Sequence, residues 1–527
     1  MHRRHLLRSA ASLAVLGAPR IAHSEKTRVL RFVPTSDLVV LDPVWTTARP
    51  TRNHAYLVFD TLYGIDEALT VQPQMAAGQT IGDDGKRWTI TLRENLRFHD
   101  GEPVLARDVA TSIQRFCARD GFGQGLLAAT NELSALDDRR IEFRLKKPFP
   151  HLAQALAGST AAVPCIMPAR LAATDPFKAV TEMVGSGPYR FLPNEHNAGS
   201  RSAYERFQGY APRDGAKASF LAGAKIAHFD RIEWHIIPDA ATAAAALRAG
   251  EVDWWELPTT DLMPMLGRDP NLTLESSKLQ TATGIMRFNQ LHPPFDNPAI
   301  RRALLGAVDQ AAAMQAVGGT DPANWSDRVG LFGPGVPLAN DAGVEVVAGP
   351  RDYDRVKRDL AAAGYHGQRI VALDPADIGV LHALSLVGID QLRKSGMDVD
   401  AQVADFGTVV RRRSSTQAPE QGGWNVFFTL IDGAYTFTPA GNPALTGNGK
   451  AGWPGWPMSP RIEELRQAWL DAPDLATEQV VCRALQMQLW QDVPYIPMGQ
   501  YRQYTCYRRT ITDVPRGFPL FYGVRPS

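Results

Sequence analysis

The chain is 527 residues long, 44% hydrophobic and 21% charged, with a formal net charge of +1. That length exceeds what one ordinary hydrophobic core serves, so two or three lobes are expected. The composition excludes a disordered chain and a polytopic membrane protein, and no basic block of the kind that tracks phosphates is present, so nucleic-acid binding is not expected.

Residues 1–24 have the layout of an export signal. Arg3-Arg4-His5-Leu6-Leu7-Arg8 is a basic start, Leu13 to Ala18 a short apolar core, and Ala22-His23-Ser24 offers the small residues a signal peptidase reads, placing cleavage after Ser24. Arg3-Arg4 followed by Leu6-Leu7 looks like a twin-arginine signal, with an ordinary Sec signal as the alternative. Removing 1–24 takes away four arginines and no acid, which turns the net charge of +1 into −3. No Cys follows the apolar core, so a periplasmic protein without a lipid anchor is expected. The four cysteines, Cys117, Cys165, Cys482 and Cys506, fit neither a zinc nor a CxxC spacing. Two states stay open for Cys482 and Cys506, a disulfide or buried thiols.

Val29 to Val33 reads as a strand, followed by a Leu41-Asp42-Pro43 turn and a helix over Tyr56 to Leu62 closed by Tyr63-Gly64. In Gly82 to Phe116, Asp84-Gly85 marks a turn and Trp88, Ile90 and Leu92 alternate as a half-buried strand. Leu96-Arg97-Phe98-His99-Asp100-Gly101-Glu102-Pro103 makes a second turn, and Val109, Ile113 and Phe116 then share a helix face. Arg139 to Leu145 alternates again, a short alanine-rich helix follows from His151 to Ala157, and Val184-Gly185-Ser186-Gly187-Pro188-Tyr189 is a glycine-rich turn into a strand. Phe229 to Ile237 is a strand. Ala240 to Ala249 is a helix, with Gly250 as its left-handed cap and Glu251-Val252-Asp253 after it. Thr283 to Asn289 reads as a crossover strand. In Pro293-Pro294-Phe295-Asp296-Asn297-Pro298, Asn297 caps a helix whose inner face is Ile300, Leu304 and Val308. Ala323 to Gly349 is loop. A helix runs from Arg351 to Ala363, and the strand at Arg369–Leu373, helix at Leu384–Lys394 and strand at Gly396–Val403 after it form a βαβ unit. Trp424 to Phe428 is a strand and 432–459 mostly loop. Helices at Ile462–Leu470 and Glu478–Gln491 precede Asp492-Val493-Pro494-Tyr495-Ile496-Pro497-Met498.

Those blocks, in that order, resemble the extracytoplasmic solute-binding proteins of family 5, the peptide/nickel-type receptors of ABC importers. The resemblance spans nearly the whole chain after the signal. It rests on the F-H-D-G-x-P stretch at Phe98–Pro103, Gly185–Tyr189, Ala246–Asp253, Phe295–Leu304, the Tyr353–Tyr365 helix and the closing block at 492–498. It implies an α/β, two-lobed periplasmic-binding-protein fold of the class II-like, cluster C type, with a hinge and an extra subdomain on the first lobe. Residues 25–65, 182–283 and 495–527 are assigned to lobe I, 66–181 to subdomain II and 284–494 to lobe III.

The resemblance also implies capture of a solute, foremost a peptide, and its delivery to an inner-membrane ABC permease with its ATPase subunits. The receptor is expected to be a monomer, with no catalytic residue, metal or cofactor. Non-peptide solutes (an opine, an aromatic acid, a metal chelate) are the alternative, and a periplasmic hydrolase a more remote one. No enzyme constellation stands out: Gly185-Ser186-Gly187 lacks the G-x-S-x-G frame, Gly447-Asn448-Gly449-Lys450-Ala451 lacks the distal glycine and the Ser/Thr of a P-loop, and His99 reads as a turn or packing residue. In peptide-binding relatives an Asp after the late strand pairs with the peptide α-amino group; Asp432 is its nearest counterpart, although the preceding Trp is absent. Dipeptide-type relatives carry an Arg for the carboxylate in the loop after the third-lobe strand. Here Leu373–Asp377 has none, and Arg413, in the Arg411–Arg413 run, is the substitute considered against a solvated helix face. Trp45, Arg49, Gln280, Thr281, Trp424 and Tyr435 complete the ligand-binding candidates, because they fall in segments that line the cleft in that family.

Overall fold

The computed structural model describes residues 27–160, 162–215 and 217–527; the signal-peptide assignment lies outside the described residues. A long sheet carries the molecule. Its strands run, from one edge to the other, Asp398–Ala404, Arg369–Pro375, Val426–Asp432, Leu272–Phe288, Tyr495–Arg508, Trp254–Trp255, Val29–Val33, Arg231–His235, Arg201–Arg206 and Tyr189–Phe191, with Trp325–Ser326 added alongside Tyr495–Arg508. Two strands far exceed the usual five or six residues: Leu272–Phe288 has 17 and Tyr495–Arg508 has 14. They pair antiparallel at both ends, Leu272 opposite Arg508 and Arg287 opposite Tyr495. Between Ser276 and Thr281 the register shifts. One half of each strand belongs to the Val29–Val33 side of the sheet, the other to the Arg369–Pro375 side. The two strands therefore join two lobes through an irregular crossing.

Each side has its own packing. On the first, Phe32 meets Trp234, Trp254 and Phe521 at ring separations of 5.6, 5.2 and 4.9 Å. The helix Ala240–Ala249 covers it; Asp239 accepts from Thr242 N–H, and Gly250, at φ 81°, closes the helix as its sequence predicts. On the second, Arg369–Pro375 and Asp398–Ala404 pair parallel through the helix Gly379–Lys394. Between the two halves in sequence, Ala76–Gly82, Arg87–Leu92, Arg140–Leu145 and Thr130–Ala135 form a separate four-stranded antiparallel sheet. Trp88, Ile90, Leu92, Ile141, Phe143 and Leu145 face its core, together with Val109, Ile113 and Phe116 of the helix Ala106–Arg119.

One helix is displaced from its sequence-based position. The helix expected over Tyr56–Leu62 runs instead over Arg49–Val58, with Pro50 in its first turn, and Tyr63–Ile65 is a strand. The chain after Val58 is claimed by the glycine-rich turn. Gly187 N–H donates to the Val58 carbonyl at 2.8 Å and Asp60 N–H to Ser186 Oγ at 3.3 Å. Gly185 and Gly187 are glycines because a Cβ there would lie 2.0 Å from the Val58 carbonyl oxygen and 2.6 Å from that of Leu57. Gly185→Ala is accordingly expected to cost about 2–3 kcal/mol of stability by overpacking, measurable in urea melts. Ser186 is a hydrogen-bonded turn residue, as the unmet hydrolase motif implied.

The cysteines settle the open choice: all four are free and buried, with Cys506 at the edge of the first lobe's core and Cys482 on the helix Leu475–Asp492, so the Cys482–Cys506 disulfide is not formed. Along that helix Leu485 and Leu489 are fully buried, whereas Val480 is 70% exposed and Val481 takes the inward position.

Buried histidines make stability depend on pH. His99 lies under Phe207, with Nε2 3.0 Å from the Gly187 carbonyl. Burial pushes it from 6.5 down to about 4, and pushes His54, between Tyr204 and Met183, down to about 3. Between pH 6.5 and 4 the unfolded chain binds protons at these sites that the folded chain does not. Stability therefore falls as pH falls through that window. Asp120 opposes: burial raises its carboxyl from 3.8 to about 6, so its contribution is lost as pH rises through that range. Asp253 and Glu478, also raised by burial, act with Asp120, while His228, lowered by burial, acts with the two histidines, so the histidine share of the pH dependence is read by substitution. Urea melts at pH 7.5 and 4.5 give the whole difference, and His99→Asn should remove on the order of 2–3 kcal/mol of the histidine share.

Candidate functional site

The two long strands cross beside a cavity walled from both lobes. Arg49, Arg52, Glu256, Leu257, Phe518 and Pro519 come from the first, Asp432 and Ala434 from the second, and Leu279, Gln280, Thr281 and Gln503 from the crossing itself. Its free volume is about 20 Å³, room for little more than one water and far below an occupied small-molecule site. A more open cavity, lined by Tyr63, Trp88, His151 and Gln154 among others, has a volume of about 610 Å³ but no carboxylate or arginine in its wall.

The cavity's chemistry is an ion-pair cluster across the lobes. Asp432 ends the strand Val426–Asp432, where Ala282 of the long strand is its sheet neighbour. Arg49 and Arg52 are three residues apart on the helix Arg49–Val58, so both reach the same side of it. Arg49 Nη2 donates to Asp432 Oδ1, and Arg52 Nη1 donates to Asp432 Oδ2 at 2.9 Å. The same Arg52 Nη1 donates to the Tyr435 hydroxyl at 2.7 Å, while its Nε and Nη2 reach Asn53 Oδ1 at 3.3 and 3.2 Å. Its guanidinium also lies 3.8 Å from the centre of the Phe518 ring, a cation–π contact. Glu256 accepts from Asn53 Nδ2 and from Thr35 N–H, both at 2.8 Å.

Burial works against every charge here, and the pairing decides the outcome. Burial alone would raise Asp432, but Arg49 and Arg52 hold its carboxyl below the ordinary value. Burial likewise opposes the charge on Arg49, and Asp432 followed by Glu256 more than offsets it. Arg52 is kept a firm cation against its burial by Tyr435 and Asp432. The Tyr435 phenol is pushed up, chiefly by burial. All four carboxylate oxygens and the whole Arg52 fork already have protein partners.

Of the candidates read from the sequence, Arg49, Gln280, Thr281 and Asp432 line this cavity, and Tyr435 stands behind it, holding Arg52. Three others lie elsewhere. Trp424 is fully buried at the opposite end of its strand segment from Asp432, packed on Phe427 and Trp456. Arg413 ends the helix Phe406–Arg413 with its guanidinium over the rings of Phe427 and Trp453, 5.5 and 5.1 Å from their centres; it is neither a cleft cation nor a fully solvated one, and burial lowers it to about 10. Trp45 is 40% exposed and outside the cavity wall, its carbonyl accepting from Arg119. The missed residues are Arg52, Glu256, Gln503 and Phe518. Only Arg52 left a signal, the i, i+3 spacing from Arg49; the others come from segments distant in sequence.

Among the described residues no group of three His, Cys, Asp or Glu side chains is placed to hold a metal, and no helix is long and apolar enough to cross a membrane. Two α/β lobes joined by two long crossing strands, with a buried polar cavity at the crossing, define a two-lobed binding protein of the periplasmic type. The chain belongs to the bacterial extracellular solute-binding proteins, family 5, whose middle-region model matches residues 70–453. It is 33% identical over 494 residues to the probable peptide ABC transporter periplasmic-binding protein y4tO of Sinorhizobium fredii, covering 93% of this chain and 92% of that one. It is 24% identical over 526 residues to the glutathione-binding protein GsiB of Pectobacterium atrosepticum, covering 97% and 95%. Among solved structures it resembles AgaA of A. tumefaciens R10 in complex with agropinic acid (TM-score 0.79, 19% identity, 95% and 99% coverage). It also resembles the Pseudoalteromonas dipeptide-binding protein in complex with Met-Leu (TM-score 0.76, 19% identity, 95% and 100% coverage).

Proposed function

We propose that this chain is the solute-capturing component of an ABC importer, that its solute is a short peptide, and that it hands that solute to an inner-membrane permease driven by ATPase subunits without transforming it. It acts in the periplasm as a monomer, after removal of residues 1–24. Residues 25–65, 182–283 and 495–527 form one lobe, 66–181 its subdomain and 284–494 the other lobe. Solute favours the closed arrangement, and the irregular register at Ser276–Thr281 is where the long strands flex.

The observation that carries this reading is the cavity at the crossing of the two strands, with charged side chains from both lobes in one wall. A solute there touches both lobes at once, so its binding energy is also closing energy. The peptide assignment is supported by the 33% identical relative's printed description. The second reading is a compact non-peptide solute such as an opine-like acid, the kind of molecule bound in the structurally similar AgaA complex.

Native mass spectrometry on protein isolated from its own periplasm tests both. A family of peptide masses supports the first reading and a single non-peptide mass the second. An empty protein that no peptide stabilises in a melting screen removes the peptide assignment.

A further inference from the structure

Resting on the reading of the chain as a solute receptor, we propose that Trp469, which is not in the cavity wall, sets how readily the lobes part to admit solute. The free volume at the strand crossing is about 20 Å³, so a solute enters only when the lobes separate. The boundary that has to separate does not end at Asp432. A Cβ at Gly441 would lie 2.6 Å from the Tyr435 carbonyl oxygen and 2.8 Å from that of Ser159, in the subdomain that carries the four-stranded sheet. Ser159 Oγ donates to the Gln154 carbonyl at 2.9 Å, and the Gln154 side chain meets His151 Nδ1 at 2.9 Å. His151 then reaches Trp469, near the end of the helix Pro460–Leu470.

Trp469 anchors this seam and is fully buried in it. Its ring stacks on His151 with 4.3 Å between centres and 11° between planes, and lies 5.6 Å from Phe122. His151 Nε2 donates to the Trp469 carbonyl at 3.0 Å. Glu478, on the side of Trp469, accepts from its indole N–H at 3.0 Å. Gly125, on the helix Gly121–Ala129, lets the next residue come close: a Cβ there would lie 3.0 Å from Leu470 Cδ1. At the outer rim Lys147 Nζ donates to both oxygens of Asp471 at 2.8 Å, with the side chains 46% and 41% exposed.

The subdomain's attachment to the first lobe is different in kind. There Arg115 and Asp42 pair at 1% and 0% exposure, and separation would strand buried charges. Across the Trp469 seam the ion pair is already hydrated and holds little. Among the described residues no strand pairing links the four-stranded sheet to the long one. What holds the seam is one aromatic anchor between a histidine and a phenylalanine. Such a contact opens and re-forms as a unit, and its strength fixes the fraction of molecules parted enough to take in solute. Trp469 is thus a positioning residue for the open and closed arrangements, not a solute contact.

The test measures the distance between the two sides by electron spin resonance. The four native cysteines are buried, so nitroxides attach at Thr80→Cys and Arg358→Cys, exposed positions on either side. The unaltered seam should give one short distance. Trp469→Ala should shift the ratio of parted to closed molecules by about 10-fold. Gly125→Gln, which improves the helix but wedges Leu470 away, should do the same and keeps the test valid if Trp469→Ala does not fold. Lys147→Glu should shift the ratio by about threefold, and adding Asp471→Lys should restore it. A long distance in the unaltered protein, or distances unmoved by Trp469→Ala and Gly125→Gln, overturns the proposal. Stopped-flow mixing with alanyl-leucine then reads entry: its association rate should rise with the parted fraction, and a rate that stays constant while that fraction grows overturns the role in entry. If alanyl-leucine binds to none of them, the peptide assignment is what fails, and the spin-label distances alone decide the seam.

Discussion

Replacing Arg115 with methionine is expected to destabilise the protein by about 3–5 kcal/mol, the cost of leaving a buried charge without its partner. Arg115 sits on the helix Ala106–Arg119, and its Nη2 meets Asp42 Oδ2 at 2.6 Å, with the side chains 1% and 0% exposed. Asp42 belongs to the Leu41-Asp42-Pro43 turn, and it also accepts from Val44 N–H at 2.9 Å and Val180 N–H at 2.8 Å. The guanidinium gathers the carbonyls of Thr174, Asp175 and Lys178 as well. Methionine fills the space but strands a carboxylate and three carbonyls. Urea denaturation of Arg115→Met measures the loss. Arg115→Met combined with Asp42→Asn should recover part of it, because the stranded charge is gone. A double variant no more stable than the single one would count against the ion pair as the cause.

The second large effect concerns the cleft. Arg52→Met is expected to weaken binding of the solute that co-purifies with the protein by about 100-fold and to cost roughly 2–4 kcal/mol of stability. Arg52 holds one oxygen of Asp432, the Tyr435 hydroxyl and Asn53 Oδ1 at once, over the Phe518 face. Without it Asp432 keeps only Arg49, and the wall loses the cation that fixes its shape. Titration calorimetry with that solute reads the affinity. Arg411→Gln, on the exposed face of the helix Phe406–Arg413, is the control and should leave it unchanged. Unaltered affinity in Arg52→Met would place the solute elsewhere.

Local structure was legible where side-chain period and capping agree. The strand Arg87–Leu92, the helix Ala106–Arg119 and the Asp239-to-Gly250 helix with its caps all stand where apolar spacing and turn residues put them. The first helix was misplaced because Tyr56–Leu62 is as apolar as a helix face, while the contact that ends the helix at Val58 comes from Gly185–Gly187, more than 120 residues on. The cleft candidates divide the same way. Arg49, Gln280, Thr281 and Asp432 lie on segments whose ends meet at the strand crossing. Trp424, just before the strand Val426–Asp432, and Arg413, at the end of the helix Phe406–Arg413, are attractive by residue type but meet an aromatic cluster away from Asp432.

The sequence by itself determined the family, the α/β character and most elements, because these follow from local period, turn chemistry and ordered blocks of residues. Tertiary structure alone decided that Asp432 is met by Arg49 and Arg52, that Glu256, Gln503 and Phe518 complete the wall, and that Cys482 and Cys506 stay apart. Asp432 lies 380 residues from Arg52. No local pattern encodes such a pairing: it exists only once two long strands have brought both lobes to one crossing, and burial there makes each charge require its partner.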